Sequence, residues 1–121
     1  MSVAVLVSIG LLGGVGAIAR FLLDGAVAGA LGRDFPYGTL AVNLLGSFVL
    51  GALVGIALDG DTYRVTATGL LGSFTTFSTW ALESHRLGED GQLRLGVANL
   101  AISLLLGVAA VWVGREFGAA L

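Results

Sequence analysis

A chain of 121 residues with 56% hydrophobic side chains, 12% charged ones and a mean hydropathy of +0.96 lies outside the soluble range. The net charge of −2 and the absence of lysine exclude the polybasic tracts that grip nucleic acid or anionic lipid surfaces. The absence of cysteine excludes disulfides and thiolate metal sites. A bilayer-crossing helix takes about 20 residues, so four spans with their connections consume nearly the whole length. The composition therefore predicts one all-α integral membrane domain over residues 1–121, with spans at about 3–23, 39–58, 63–84 and 93–113 and membrane lipid around it.

The first span contains GLLGGVGAIAR, where Gly10, Gly13, Gly14 and Gly16 form a small-residue surface suited to close helix contact. It lacks a basic leader and reads as a span rather than a cleaved signal. Arg20 lies near its end, either as a snorkelling structural arginine or as the cation of an anion vestibule. The following stretch becomes small and then polar, ending in GRDFPYGT, where Pro36 and Gly38 mark a turn or helix entrance. Span two holds one strongly polar side chain, Asn43, whose amide must find hydrogen-bond partners wherever it is buried.

The third span, GLLGSFTTFSTWALE from Gly69 to Glu83, mixes Leu70, Leu71, Phe74, Phe77 and Trp80 with Gly72, Ser73, Thr75, Thr76, Ser78 and Thr79. Glycine and consecutive threonines weaken a helix, and backbone groups freed at membrane depth survive only beside protein or a wet cavity. An interrupted helix is the expectation, with unwound carbonyls around Gly72 to Thr76 offered to a hard cation such as Na⁺. Asn43, Ser78 and Thr79 supply the opposite chemistry, since amide and hydroxyl hydrogens can replace the hydration of a small anion. Phe77 and Trp80, at i,i+3, turn toward one helical face, and their ring edges are electropositive; the indole N–H is a further potential donor. The segment SHRLGEDGQLR reads as an extramembranous connection, with His85 solvated. In span four Asn99 and Ser103, at i,i+4, share a face and can extend a polar track.

The motifs GGVGAIARF, PYGTLAVNLLGSFVLG and GLLGSFTTFSTWALE resemble those of the CrcB/Fluc fluoride channels, a match that covers most of the chain. The resemblance implies a four-helix subunit in an antiparallel, dual-topology dimer with two fluoride pores and a structural Na⁺ at the dimer interface, ligated by the carbonyls of Gly72 and Thr75. It implies a fluoride pathway through Asn43, Phe77, Ser78, Thr79, Trp80 and Ser103, with Arg20 and Glu83 as vestibule charges. The partner is an identical chain or a paired homologue in a prokaryotic inner membrane. Trp80 stands where the family usually has a second phenylalanine, and Ala81 where it often has serine.

An enzyme is not expected, because Asp24 and Glu83 lie near span ends with no nucleophile or metal ligand between them. A proton-coupled drug antiporter of similar size needs a carboxylate deep in span one, and residues 3–19 contain none. A noncatalytic assembly subunit is the third reading.

Overall fold

The computed structural model describes all residues, 1–121, and is helical throughout, without strands. Helix α1 spans Val3–Leu31, α2 Tyr37–Ile56, α3 Gly60–Tyr63, α4 Gly72–Phe74, α5 Ser78–Glu89 and α6 Leu93–Ala119; a π-helical segment, Arg64–Leu71, joins α3 to α4. Three helices, α1, α2 and α6, are each long and apolar enough to cross a membrane. None of the shorter pieces between Gly60 and Glu89 is long enough alone.

Two element boundaries depart from the sequence expectation. Helix α1 runs eight residues past 23, because nothing between Leu23 and Leu31 breaks a helix. It stops at Gly32, whose positive φ of 85° lets its N–H reach back to the Ala28 carbonyl at 2.8 Å. The polar segment after Glu83 is not a loop at its start: α5 continues to Glu89, with His85 and Glu89 paired at 2.8 Å on its exposed side. Polarity there marks emergence from the apolar layer, not the end of the helix. At the other end, the Asp59 carboxylate caps α3 by accepting from the Thr62 hydroxyl and N–H. These bonds hold it below the usual carboxylate range.

Small residues set how the helices meet. On α2 the Gly51 and Gly55 positions press against the carbonyls of Val111 and Arg115, and on α6 Gly114 and Gly118 press against those of Phe48 and Ala52. Numbers rise together along both helices, so α2 and α6 run parallel, backbone to backbone. The same logic joins α1 to the π segment: Gly16 abuts Leu70, and Gly69 abuts Ile9. The chain therefore passes back and forth, with both termini and the 57–59 turn at one end and residues 32–36 and 90–92 at the other.

Only 20 of 121 residues are buried, while Leu11, Ile18, Phe21, Leu105 and Trp112 are exposed. Faces this apolar need lipid or protein as their neighbour. The interlock carries a direct consequence: Gly51→Ala, whose methyl would enter the Val111 carbonyl, should cost about 1–3 kcal/mol of stability. Gly29→Ala, with open space around it, should be neutral or gain up to about 1 kcal/mol from helix propensity. Unfolding of both variants in detergent measures the difference.

Candidate functional site

The chain leaves helical geometry at Thr75 (φ −79°, ψ 159°) and resumes it at Ser78. Gly72, expected in the unwound part, is itself helical (φ −61°, ψ −31°) and sends its N–H to the Ala67 carbonyl, so the departure lies three residues further on. The freedom of glycine is not what is used. Thr75 turns its hydroxyl back onto the Leu71 carbonyl at 3.0 Å, and its methyl fills the hollow left by Gly46 on α2. A side chain at Gly46 would push the segment away from α2.

Asn43 closes the gap. Its Nδ2 donates to the Thr76 carbonyl and its Oδ1 accepts from the Thr76 N–H, both at 2.8 Å. The carboxamide thus replaces both helical backbone bonds that Thr76 has given up, without which buried polar groups at this depth would be orphaned. One N–H of the Asn43 amide is consumed in this way, leaving one for any other partner. Thr76 was not singled out by sequence reasoning, yet it is the hub: its hydroxyl accepts the Thr79 N–H at 3.2 Å, as a helix-capping threonine does, and lies 3.2 Å from the Thr79 hydroxyl and 3.5 Å from that of Ser78. The signal in the sequence was the threonine three residues before Thr79, at the start of a resumed helix.

Backbone accounting exposes a second feature. The N–H groups of Thr76 and Phe77 make no backbone hydrogen bond, and that of Thr79 goes to a side chain. The carbonyls of Gly72, Ser73 and Thr75 therefore lack the donors four residues on that a continuous helix would supply.

A cavity of about 440 Å³ brings together Asn43, Gly72, Thr75, Phe77, Trp80 and Ser103. Phe77 is 75% exposed while Trp80 is buried, and their rings meet edge to face with centroids 5.2 Å apart. The indole N–H is not free for an ion: it donates to the Asn99 carbonyl of α6 at 3.2 Å. Asn99, 1% exposed, donates to the Ser84 hydroxyl at 2.8 Å and accepts from Ser103 at 3.4 Å. Neither Ser84 nor Asn99 faces the cavity.

The charged residues lie elsewhere. Glu83 accepts a hydrogen bond from the buried Thr39 hydroxyl and lines a second cavity, of about 280 Å³, with Asp24, Arg33, Arg86 and Asp90 at the 32–36 end. Arg20 is not among the residues lining it, so the two vestibule charges expected from sequence do not share one cavity. Arg20 makes no ion pair.

Residues 7–115 match the family described as CrcB-like protein, Camphor Resistance (CrcB). The chain is 48% identical over 115 residues to a protein of Mycobacterium tuberculosis named fluoride-specific ion channel FluC 2, covering 95% of this chain and 91% of that one. It is 50% identical to a protein of the same name from Mycolicibacterium paratuberculosis, with 95% and 94% covered. A fluoride-specific ion channel FluC of Citrifermentans bemidjiense is 41% identical over 114 residues, covering 90% and 92%.

The Asn43 splint has a measurable signature. Asn43→Ala leaves the Thr76 N–H and carbonyl without partners, at about 1–3 kcal/mol for each orphaned group. The Thr76 amide, which its bond to Asn43 should make slow to exchange with deuterium in the unsubstituted protein, should become one of the fastest in the third helical stretch of the variant.

Proposed function

This chain belongs to the CrcB-like family, and from that premise we propose that it is a multi-pass fluoride channel of the bacterial cell membrane, not an enzyme. The observation that supports this best is the cavity itself, where one amide N–H of Asn43, the Ser103 hydroxyl and the exposed ring of Phe77 converge without any full positive charge. A small anion gives up a costly hydration shell on entering. Weak, dispersed donors and electropositive ring edges can replace that shell without trapping the ion. Ser78 and Thr79 do not line this cavity; their hydroxyls lie beside that of Thr76 and would extend the donor track beyond it. Trp80 contributes its ring edge rather than its N–H.

Transport is passive. Hydrogen fluoride crosses the bilayer and dissociates inside, and the negative interior then drives the anion out with about 2.3 kcal/mol per 100 mV. A carboxylate deep in α1, which a proton-coupled drug antiporter would use, is missing between residues 3 and 19.

The π segment, α4 and α5 together form the fourth crossing, an interrupted helix whose break is splinted by Asn43. Two copies assemble antiparallel, or this chain pairs with a homologue. Phe77 and the open side of the cavity face that partner, since a phenyl ring 75% exposed beside free carbonyls is a poor terminus for a folded surface. The carbonyls of Gly72 and Thr75, without their helical donors, fit the oxygen ligation that Na⁺ takes, and the ion would supply the positive charge that a broken helix lacks there. The positive charges are only slightly biased, with Arg33, Arg86 and Arg94 at one end and Arg20 nearby against Arg64 and Arg115 at the other, which suits insertion both ways or a lean matched by an oppositely leaning partner.

Purified protein in liposomes, read with a fluoride electrode, tests this function. Rapid fluoride efflux with chloride retained is expected; a folded, reconstituted protein that releases neither ion would overturn it. Phe77→Ile, which removes the electropositive edge but keeps apolar bulk, should slow efflux by about tenfold or more, the rate equivalent of roughly 1.4 kcal/mol. Full activity would mean that Phe77 is packing and no more.

A further inference from the structure

Behind the cavity, α5 and α6 are joined by a closed circuit of hydrogen bonds. The Trp80 indole donates to the Asn99 carbonyl, Asn99 Nδ2 donates to Ser84 Oγ at 2.8 Å, and Ser84 Oγ donates to the Trp80 carbonyl at 2.9 Å. A branch leaves it from Asn99 Oδ1, which accepts the Ser103 hydroxyl at 3.4 Å. Of the serines and amides in this circuit, only Ser103 lines the cavity.

Only one order of protons satisfies all of these bonds at once. A carbonyl can only accept, so the hydrogen of Ser84 is committed to Trp80. The Ser84 oxygen, its only hydrogen spent, must then face a donor, which forces Asn99 to present Nδ2 toward it and Oδ1 toward Ser103. Ser103 must in turn give its one hydrogen to Oδ1. Its lone pairs are left for the cavity, which is the wrong polarity for an anion. At 3.4 Å this last bond is the longest and weakest of the set, so the hydroxyl can turn, but each turn breaks it.

We propose that Ser84 and Asn99 are positioning residues that fix the proton polarity of the Ser103 hydroxyl, withholding a hydrogen-bond donor from the cavity until an anion is strong enough to take it. This inference rests on the channel reading. It makes Ser103 a conditional ligand, favouring a small anion with dense charge over a larger, weaker acceptor, through two residues that never meet the ion.

Ser84→Ala tests the idea because it removes the oxygen that orients the amide. With no acceptor at position 84, Asn99 gains by flipping: Nδ2 then donates to Ser103, an orphaned N–H being worse than an orphaned carbonyl oxygen. Ser103, now an acceptor from Asn99, has its hydrogen free for the cavity. Fluoride flux is measured against fluoride concentration for the unsubstituted protein, Ser84→Ala, Ser103→Ala and the double variant. The half-saturating concentration should fall about fivefold in Ser84→Ala, the ratio that one added hydrogen bond yields, and should not differ between Ser103→Ala and the double variant. An unchanged or raised value in Ser84→Ala, or an equal shift in both backgrounds, overturns the inference and leaves Ser84 as helix packing. Should Ser84→Ala fail to purify in folded form, Ser84→Cys, whose sulfur is a weak acceptor, must show the same direction with smaller size. No fluoride flux from the unsubstituted protein would sink the channel reading itself, whereas flux without this coupling removes only the polarity role.

Discussion

Backbone that leaves helical geometry at Thr75 must satisfy its polar groups some other way, and here one side chain does so. The carboxamide of Asn43 meets both polar groups of Thr76 at 2.8 Å, copying the donor and acceptor of a peptide unit. No hydroxyl could do this, because a single oxygen cannot present a donor and an acceptor with peptide spacing. An aspartate keeps the acceptor and loses the donor. The break therefore depends on one amide on a neighbouring helix, and the geometry of the cavity depends on the break.

Placing that amide requires α2 to come close to the segment around Thr75 and to hold its rotation. Gly46 provides the approach, since Thr75 occupies the space where a side chain would stand. The rotation comes from the other side of α2, where Gly51 and Gly55 interlock with the backbone of α6 and Gly114 and Gly118 return the contact. Carbonyls that meet backbone rather than side chains leave no rotamer freedom at the contact, so a small-residue seam acts as a rigid fixture. Asn99 and Ser103 ride on that same α6. The seam thus sets the distance between the Asn43 and Ser103 sides of one cavity, although none of its four glycines lines that cavity.

Helical class and the three strongly apolar helices were legible in the sequence, because each is written in composition over many residues. Of the pathway residues expected from the sequence, Asn43, Phe77, Trp80 and Ser103 line one cavity, and Ser78 and Thr79 do not. Positions within the cavity were not legible, for reasons that are local. Gly72 looked like the point of breakage because glycine tolerates any backbone, but tolerance is not a cause. The cause is an acceptor and donor pair on another helix, which no reading of the third span alone contains. The Trp80 N–H looked available because its partner, a carbonyl of α6, is a backbone atom and leaves no mark in the sequence. Arg20 and Glu83 were expected as vestibule charges from the resemblance, and only Glu83 lines the second cavity, because nearness to a span end does not fix which side of a helix a charge occupies.

The indole at position 80 then acquires a meaning beyond size. A phenyl ring there would be held by packing alone and could tilt its edge as neighbours shift. Trp80 is pinned at three points: its N–H to the Asn99 carbonyl, its own carbonyl by Ser84, and its ring edge to face against Phe77. Phe77, by contrast, is largely exposed within the single subunit. One aromatic is tied to the scaffold by hydrogen bonds and the other meets it only through its ring contact. The circuit that holds Trp80 is also the one that Ser103 joins through Asn99. The larger ring and the buried asparagine therefore belong to one hydrogen-bonded unit that stiffens the α6 side of the cavity without lining it at Asn99 or Ser84.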